Sequence, residues 1–289
     1  MTINQLIYFQ AVCKHDGISR AAEALNISQP SISNAIRELE REFDLVLFTR
    51  QYRKLLLTEE GAKLLSLTED LLSRVDTINR VMLGMKNKRT VLRLGVPPMI
   101  GTSILPKLYT EFFATRPQLD VQITEDGGKR LAQLLSDGEI DMAFLPHSEP
   151  VDSEFLSVQL MQLQHLCCVN RNHRLAGRSY VTPEDLSNES IVLFKNSFFQ
   201  TERLLEIFRS CGVTPNVALY TVQQSTLQNM IESNAAVGFM FDLLAASTPS
   251  IVGIPLEPAM YTKISLVWKR NSYLTTDMDA LIAYIRRIQ

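Results

Sequence analysis

A chain of 289 residues is longer than one domain usually runs, and 46% hydrophobic with 21% charged residues is the make-up of a globular protein with a sizeable core. That excludes a disordered or fibrous chain. The net charge of -2 excludes a globally basic one: residues 1–89 carry 13 Lys+Arg against 11 Asp+Glu and the other 200 carry 16 against 20, so a polyanion would have to meet a local patch.

The opening Met-Thr-Ile-Asn-Gln lacks the basic and apolar regions of a secretory signal, and no run of about 18 apolar residues is present to span a bilayer. Cys13, Cys167, Cys168 and Cys211 show neither a C-x-x-C pair nor a disulfide framework. A reducing, cytoplasmic location without membrane contact is the expectation.

In chain order, Thr2 and Gln5 fit a capping box, followed by Leu6, Phe9, Val12 and Cys13 on one helical face. Gly17 is the expected left-handed stop. Ser19 is expected to cap a second helix through Leu25, with Ala21, Ala22 and Leu25 buried. After the turn Asn26-Ile27-Ser28 a third helix is expected from about Gln29 to Phe43, with Pro30 in its first turn. Leu55-Leu56-Leu57 suggests a short strand, and Thr58 a cap for a long helix to about Lys88. On it Leu64, Leu67, Leu71, Val75, Ile78, Met82 and Met85 recur at spacings of three or four, a seam suited to a second helix from another copy of the chain.

From Val91 onward, strands alternate with helices. Strands are expected at residues 91–96, 121–124, 142–145, 166–169, 191–194, 217–220, 237–240 and 264–268. Helices are expected at 104–114, 131–135, 202–209, 226–232 and 278–288. This is α/β architecture with a mostly parallel sheet. The organisation expected is a winged helix-turn-helix over residues 1–58, a linker and dimerisation helix over 59–89, and an α/β unit over 90–289.

The stretch from Ile18 to Glu40 carries the chemistry. Two short helices meeting at small residues (Ala21, Ala22), with Ile27 plugging the turn and Ile32, Ile36 and Leu39 buried, build a helix-turn-helix. The opposite face presents Gln29, Ser31, Ser33, Asn34 and Arg37, short hydrogen-bonding groups near a helix N-terminus that suit a major groove. A plain helical hairpin with a solvated face would show the same spacing. The basic segment from Phe48 to Lys54, with Arg50, Tyr52 and Arg53, favours the DNA reading, because a basic loop there can lie along phosphates as a wing. A solvated charge run is its alternative.

These residues resemble the N-terminal domain of the LysR-type transcriptional regulators. The resemblance rests on Leu6-x-x-Phe9, Ser19-x-Ala21-Ala22-x-x-Leu25, the run from Ser28 to Ser33, Ile36-x-x-Leu39-Glu40, Leu47-Phe48-x-Arg50 and Leu57-Thr58-x-x-Gly61. It implies that Gln29, Ser31, Ser33 and Arg50 lie near DNA, with Arg53 on the wing. Asn34 departs from the Arg or Lys common at its position, so it is a candidate for reading a base instead of touching phosphate.

The resemblance further implies that residues 90–289 form a two-lobed effector module, similar in fold to periplasmic binding proteins, with a small ligand (an organic acid is the family-level guess) between lobes joined by two crossing strands. Thr102 and Ser103, at the expected start of a helix, fit an anion site or a simple cap. Thr124, His147, Phe199, Gln200 and Gln224 fall at strand ends, where open α/β sheets bind ligands. His147 could equally bond locally, and Phe198 and Phe199 could close the core. The crossovers are expected near Leu145–His147 and Val222–Ser225. Lys129, Arg130 and Lys195 are the candidate cations. The implied partners are double-stranded DNA with a two-fold or pseudo-palindromic operator, a small-molecule effector, a homodimer or homotetramer, and RNA polymerase.

Enzyme motifs (phosphate loop, nucleophile elbow, zinc-protease helix, dinucleotide fingerprint) are missing, and His15, His147, His165 and His173 lack metal-ligand spacing. Neither an enzyme, a metal nor a cofactor is therefore expected. A transport-binding protein would need export. A redox sensor would rest on Cys211 alone, since adjacent Cys167 and Cys168 on a strand point to opposite faces.

Overall fold

The computed structural model describes residues 1–51, 54–87, 89–196 and 198–289, and the side chains of all of these except residues 50, 51, 54, 80, 85 and 87. The chain divides into two compact units, Met1–Lys86 and Asn87–Gln289.

The first unit opens with α1 (Ile3–Lys14), started by the expected capping box of Thr2 and Gln5. The left-handed residue after it is Asp16 rather than Gly17, which instead takes a φ of 153° as N-cap of α2 (Ile18–Leu25). Ser19 therefore lies inside α2 and caps nothing. α3 (Gln29–Phe43) has the expected bounds, with Ser28 Oγ accepting from the Ser31 amide. Phe9, Ala21, Ile32 and Leu39 are wholly buried where the three helices meet, and the missing side-chain bulk at Ala21 is what lets α2 approach.

Two strands follow, β1 (Phe48–Gln51) and β2 (Lys54–Leu57), paired antiparallel. Glu40 Oε1 accepts from the Leu47 amide at 2.9 Å, fastening this hairpin to α3. Thr58 Oγ1 bonds the carbonyls of Val46 and Leu47 and accepts from the Gly61 amide at 3.0 Å, capping α4 (Glu59–Asn87) as expected.

The second unit is built on one mixed sheet of β3 (Thr90–Val96), β4 (Leu119–Glu125), β5 (Met142–His147), β6 (Phe155–Asn170), β7 (Ile191–Phe194), β8 (Val217–Thr221), β9 (Val237–Phe241) and β10 (Ile251–Lys269), in spatial order 4-3-5-10-6-9-7-8. Within each flank the pairing is parallel: β4 with β3, β3 with β5, β9 with β7, and β7 with β8. The two long central strands run antiparallel to each other and to their outer neighbours. They are the crossing strands. Leu145–His147 ends β5 just ahead of the first crossing strand, as expected, whereas Val222–Ser225 only leads from β8 into a helix, so the expected return crossover is corrected to β10.

The α-helices among the described residues are α5 (Pro98–Lys107), α6 (Gly128–Ser136), α7 (Phe199–Ser210), α8 (Gln224–Glu232), α9 (Asp242–Ala246) and α10 (Thr276–Ile288), with a π-helical and a 3-10 turn carrying α5 on to Thr115. Alternation along the strands sorts them onto two faces. Leu94, Phe144 and Val192 pack with residues of α5, α8, α9 and α10. Ala143 and Leu145 pack instead with α6, and Ile191 and Leu193 with α7. Cys167 and Cys168 fall on opposite faces, as expected. Within the first lobe Arg93 and Asp141 pair at 2.8 Å, tying β3 to the turn before β5.

Candidate functional sites

On α3, Gln29, Ser31, Asn34 and Arg37 are exposed and Ser33 is half-buried, while Ile32, Ala35, Ile36 and Leu39 face the core. The structure thus gathers the five expected DNA-reading residues of this helix on one surface. They are partly engaged with one another. Ser31 Oγ lies 2.7 Å from Ser28 Oγ, and Arg37 donates to Asn34 Oδ1 at 2.7 Å and to the Ser33 carbonyl at 3.2 Å. The Asn34 amide nitrogen and further Arg37 donors are left for an outside acceptor. The Arg50 side chain and Arg53 lie outside the described residues.

In the second unit a narrow cleft, open to solvent, lies on the α6 and α7 side of the sheet. Its walls come from both lobes: Pro97, Gly128 and Pro146 from one, Phe198, Phe199 and Gln200 from the other, with His165 of β6 and Thr262 of β10 from the crossing strands. Of the expected effector residues it brings together Phe199 and Gln200. Thr102 and Ser103 lie elsewhere. α5 begins at Pro98, capped by Pro97, so they sit a turn inside it and donate back to the carbonyls of Met99 and Ile100 at 2.9 Å. The prolines hide this start from sequence reading, since Pro97-Pro98 reads as loop although Pro is well suited to a first helical turn. Together with Gln224, Thr102 and Ser103 line a separate groove edged by α5, α8, α9 and α10.

His147 is committed to its own lobe: one ring nitrogen is 2.8 Å from the Glu149 carbonyl, the other 2.8 Å from Ser265 Oγ. Thr124 pairs with Gly95 across β4 and β3 and is not among the cleft's lining residues. Lys129 bridges to Glu202, while Arg130 and Lys195 are exposed. Among the described residues no charged side chain lines the cleft.

Sequence reasoning missed Pro97, His165 and Thr262. His165 carried a signal: a histidine in the inward series with Leu163 and Cys167 marks a buried polar group that asks for a reason. It is 1% exposed, its ring 4.5 Å from that of Phe241, and Nε2 lies 2.8 Å from Thr262 Oγ1. Burial drives its pKa down from 6.5 to about 3, so the ring is neutral. No group of three or more His, Cys, Asp or Glu that could hold a metal was found among the described residues. No helix among them is long and apolar enough to cross a membrane.

A winged helix-turn-helix followed by a long helix and a two-lobed α/β unit with a cleft is the architecture of a ligand-responsive DNA-binding regulator. Residues 3–62 match the family model for the bacterial regulatory helix-turn-helix protein of the lysR family, and residues 86–289 match the LysR substrate binding domain. The chain belongs to the LysR family of transcriptional regulators. It is 26% identical to the uncharacterised HTH-type transcriptional regulator YwbI of Bacillus subtilis, over 95% of this chain and 92% of that one. It is 25% identical to the dual regulator OxyR of Escherichia coli, over 99% and 95%. A full-length OxyR variant from Pseudomonas aeruginosa shares the fold with a TM-score of 0.65, at 20% identity, over 100% of this chain and 94% of that one. CbnR, solved with its target DNA, does so with a TM-score of 0.63, at 20% identity, over the whole of both chains.

Proposed function

We propose that the chain regulates transcription by placing the N-terminal half of α3 in the major groove of a two-fold or pseudo-palindromic operator, with a small metabolite in the interlobe cleft biasing how it does so. The observation that carries the DNA reading is the exposed surface of Gln29, Ser31, Asn34 and Arg37 on the helix that follows the turn. Arg50 and Arg53 on the hairpin would add phosphate contacts.

A dimer is part of the same proposal. Along α4, Leu67, Leu71, Ile78 and Met82 are 36–67% exposed, an apolar stripe that a second copy of the helix would cover. Assembly to a tetramer, contact with RNA polymerase and action in the cytoplasm complete the reading. The ligand acts only if it binds one arrangement of the lobes better than the other, shifting the population that holds DNA well. Phe199 and Gln200 are its expected contacts. An organic acid would call for a cation, which the described lining does not supply.

A redox-sensing role finds no support in the cysteines of β6. Cys167 and Cys168 are fully buried, and burial raises the Cys168 thiol to about 12 and that of Cys167 well above its ordinary value.

Binding of a labelled fragment from the gene's own upstream region, by wild type and Ser33→Arg across a salt series, tests the DNA reading. Specific, salt-sensitive binding that the substitution abolishes is expected. Binding no tighter than to random DNA, by a folded dimer at low salt, would overturn it.

A further inference from the structure

The cleft's chemistry selects a class of ligand, an inference that rests on the proposed role of the cleft as the effector site. Two facts set it. The first is the lining: Pro97, Met99, Pro146, Phe198, Phe199 and Phe241 supply apolar surface, and among the described residues the polar side chains are Gln200, Thr262 and His165. The cation nearest in sequence to the lining residue Gly128 is Lys129, already 2.7 Å from Glu202. A carboxylate moved from water into such a site would lose its hydration with nothing of opposite charge to replace it.

The second fact is an orphan. His165 Nδ1 is buried and has no hydrogen-bond partner, although His165 lines the cleft and also the smaller apolar recess, lined by Phe194, Leu204 and Phe239, that shares Gln200 with it. Buried polar atoms are rarely left unmet, and this one belongs to a residue that lines the cleft. Its role follows from Thr262. A neutral imidazole has one N–H and one lone pair. If Nε2 carried the proton and donated to Thr262 Oγ1, the Thr262 hydroxyl hydrogen and the Nδ1 lone pair would both go unmet. If the Thr262 hydroxyl donates to Nε2, only the Nδ1 N–H is left over. The second tautomer leaves one unmet group instead of two.

We infer that the cleft takes an uncharged, largely apolar ligand carrying a carbonyl-type acceptor, which receives the His165 Nδ1 hydrogen. The position adds meaning to the contact. His165 on β6 and Thr262 on β10 lie on the two strands that join the lobes, so a ligand held there touches the hinge as well as both walls.

Three probes of one shape separate the alternatives on the full-length protein: acetophenone (neutral, with an acceptor), ethylbenzene (neutral, without one) and benzoate (anionic). Titration calorimetry of wild type is expected to show acetophenone binding about five-fold tighter than ethylbenzene, the worth of one buried hydrogen bond, with benzoate weakest. In His165→Phe the preference for acetophenone over ethylbenzene is expected to disappear. Long-range 15N–1H spectra of histidine-labelled wild type give a readout that needs no variant: the proton is expected on Nδ1, with that nitrogen's shift moving when acetophenone is added.

Benzoate binding tighter than acetophenone would overturn the ligand class while leaving the cleft as an effector site. A proton on Nε2, or an acetophenone preference that survives His165→Phe, would overturn the role of His165. Failure of all three probes to bind or to move the His165 signals would remove the cleft reading and this inference together.

Discussion

Lys129 Nζ lies 2.7 Å from Glu202 Oε2, tying the first turn of α6 in one lobe to the first turn of α7 in the other. Gly128 and Phe199, beside or near these residues in sequence, line the cleft. Both charged side chains are more than half exposed, so water screens the pair and its worth is small. A double-mutant cycle of Lys129→Ala and Glu202→Ala, read by urea unfolding, is expected to give a coupling below about 1 kcal/mol that shrinks further in about 0.5 M salt. A salt-insensitive coupling well above that would mean that the pair is desolvated and latches the lobes.

Gly61 has no room for a side chain. A Cβ there would press into the Leu47 carbonyl oxygen and the Leu57 side chain, at the joint where Thr58 caps α4 against the hairpin. Backbone cannot yield as a flexible side chain does, so Gly61→Ala is expected to destabilise the N-terminal unit by about 1–3 kcal/mol. Thermal melting checks this. An unchanged melting temperature would mean that the joint is looser than its contacts imply.

How much of this was legible depends on whether the signal was local. α3 could be bounded from Ser28, Pro30 and the buried stripe of Ile32, Ile36 and Leu39, because caps and helical period are short-range properties. The start of α5 escapes sequence reading because it is the pair Pro97-Pro98, N-cap and first residue, and Thr102 and Ser103 resemble caps although they donate to carbonyls three residues back. The long strands β6 and β10 were seen only in part. Gly253, Pro255 and Pro258 are poor strand residues, and the register of β10 with β6 slips between Pro255 and Met260, yet the strand continues beyond. A cleft assembled from residues as far apart as Pro97, His165 and Thr262 has no local signature as a whole, and the inward histidine is the one local hint of it. Only the resemblance predicted that two lobes would face each other.

Arg37 spans Asn34 and the Ser33 carbonyl while remaining exposed, which pre-orders its guanidinium beside the proposed groove-facing surface. If it meets a phosphate, Arg37→Ala weakens binding to specific and random DNA alike and lowers the salt slope by about 1. If it meets a base, specific binding alone suffers. Binding isotherms on both fragments across salt distinguish the two, and no effect on either would place Arg37 away from DNA.

His165 makes the second unit sensitive to acid. Its folded pKa is held at about 3, against 6.5 for the free group, because burial penalises the charged ring. Above 6.5 neither state binds the proton and stability is unaffected. Between 6.5 and about 3 the unfolded chain takes up a proton that the folded chain refuses, so stability falls with falling pH, by up to about 1.4 kcal/mol per unit. His165→Phe is expected to flatten this limb, as seen by urea unfolding at about pH 7 and about pH 5. An identical slope in the variant would mean that His165 is protonated, or open to solvent, in the folded protein.

The four cysteines are expected to separate by reactivity, because the thiolate is the nucleophile. Cys167 and Cys168 are wholly buried on opposite faces of β6, and desolvation raises both thiols. Cys13 is half-buried on α1, and its thiol is pushed up to about 12, first by burial and then by the charge of Glu69. Cys211 is half-buried as the C-cap of α7. Iodoacetamide near neutral pH is therefore expected to modify Cys211 first in the native protein, Cys13 far more slowly, and Cys167 and Cys168 only after unfolding, as read by peptide mass spectrometry. Native labelling of Cys168 as fast as Cys211 would mean that β6 opens to solvent, and with it the hinge that carries His165.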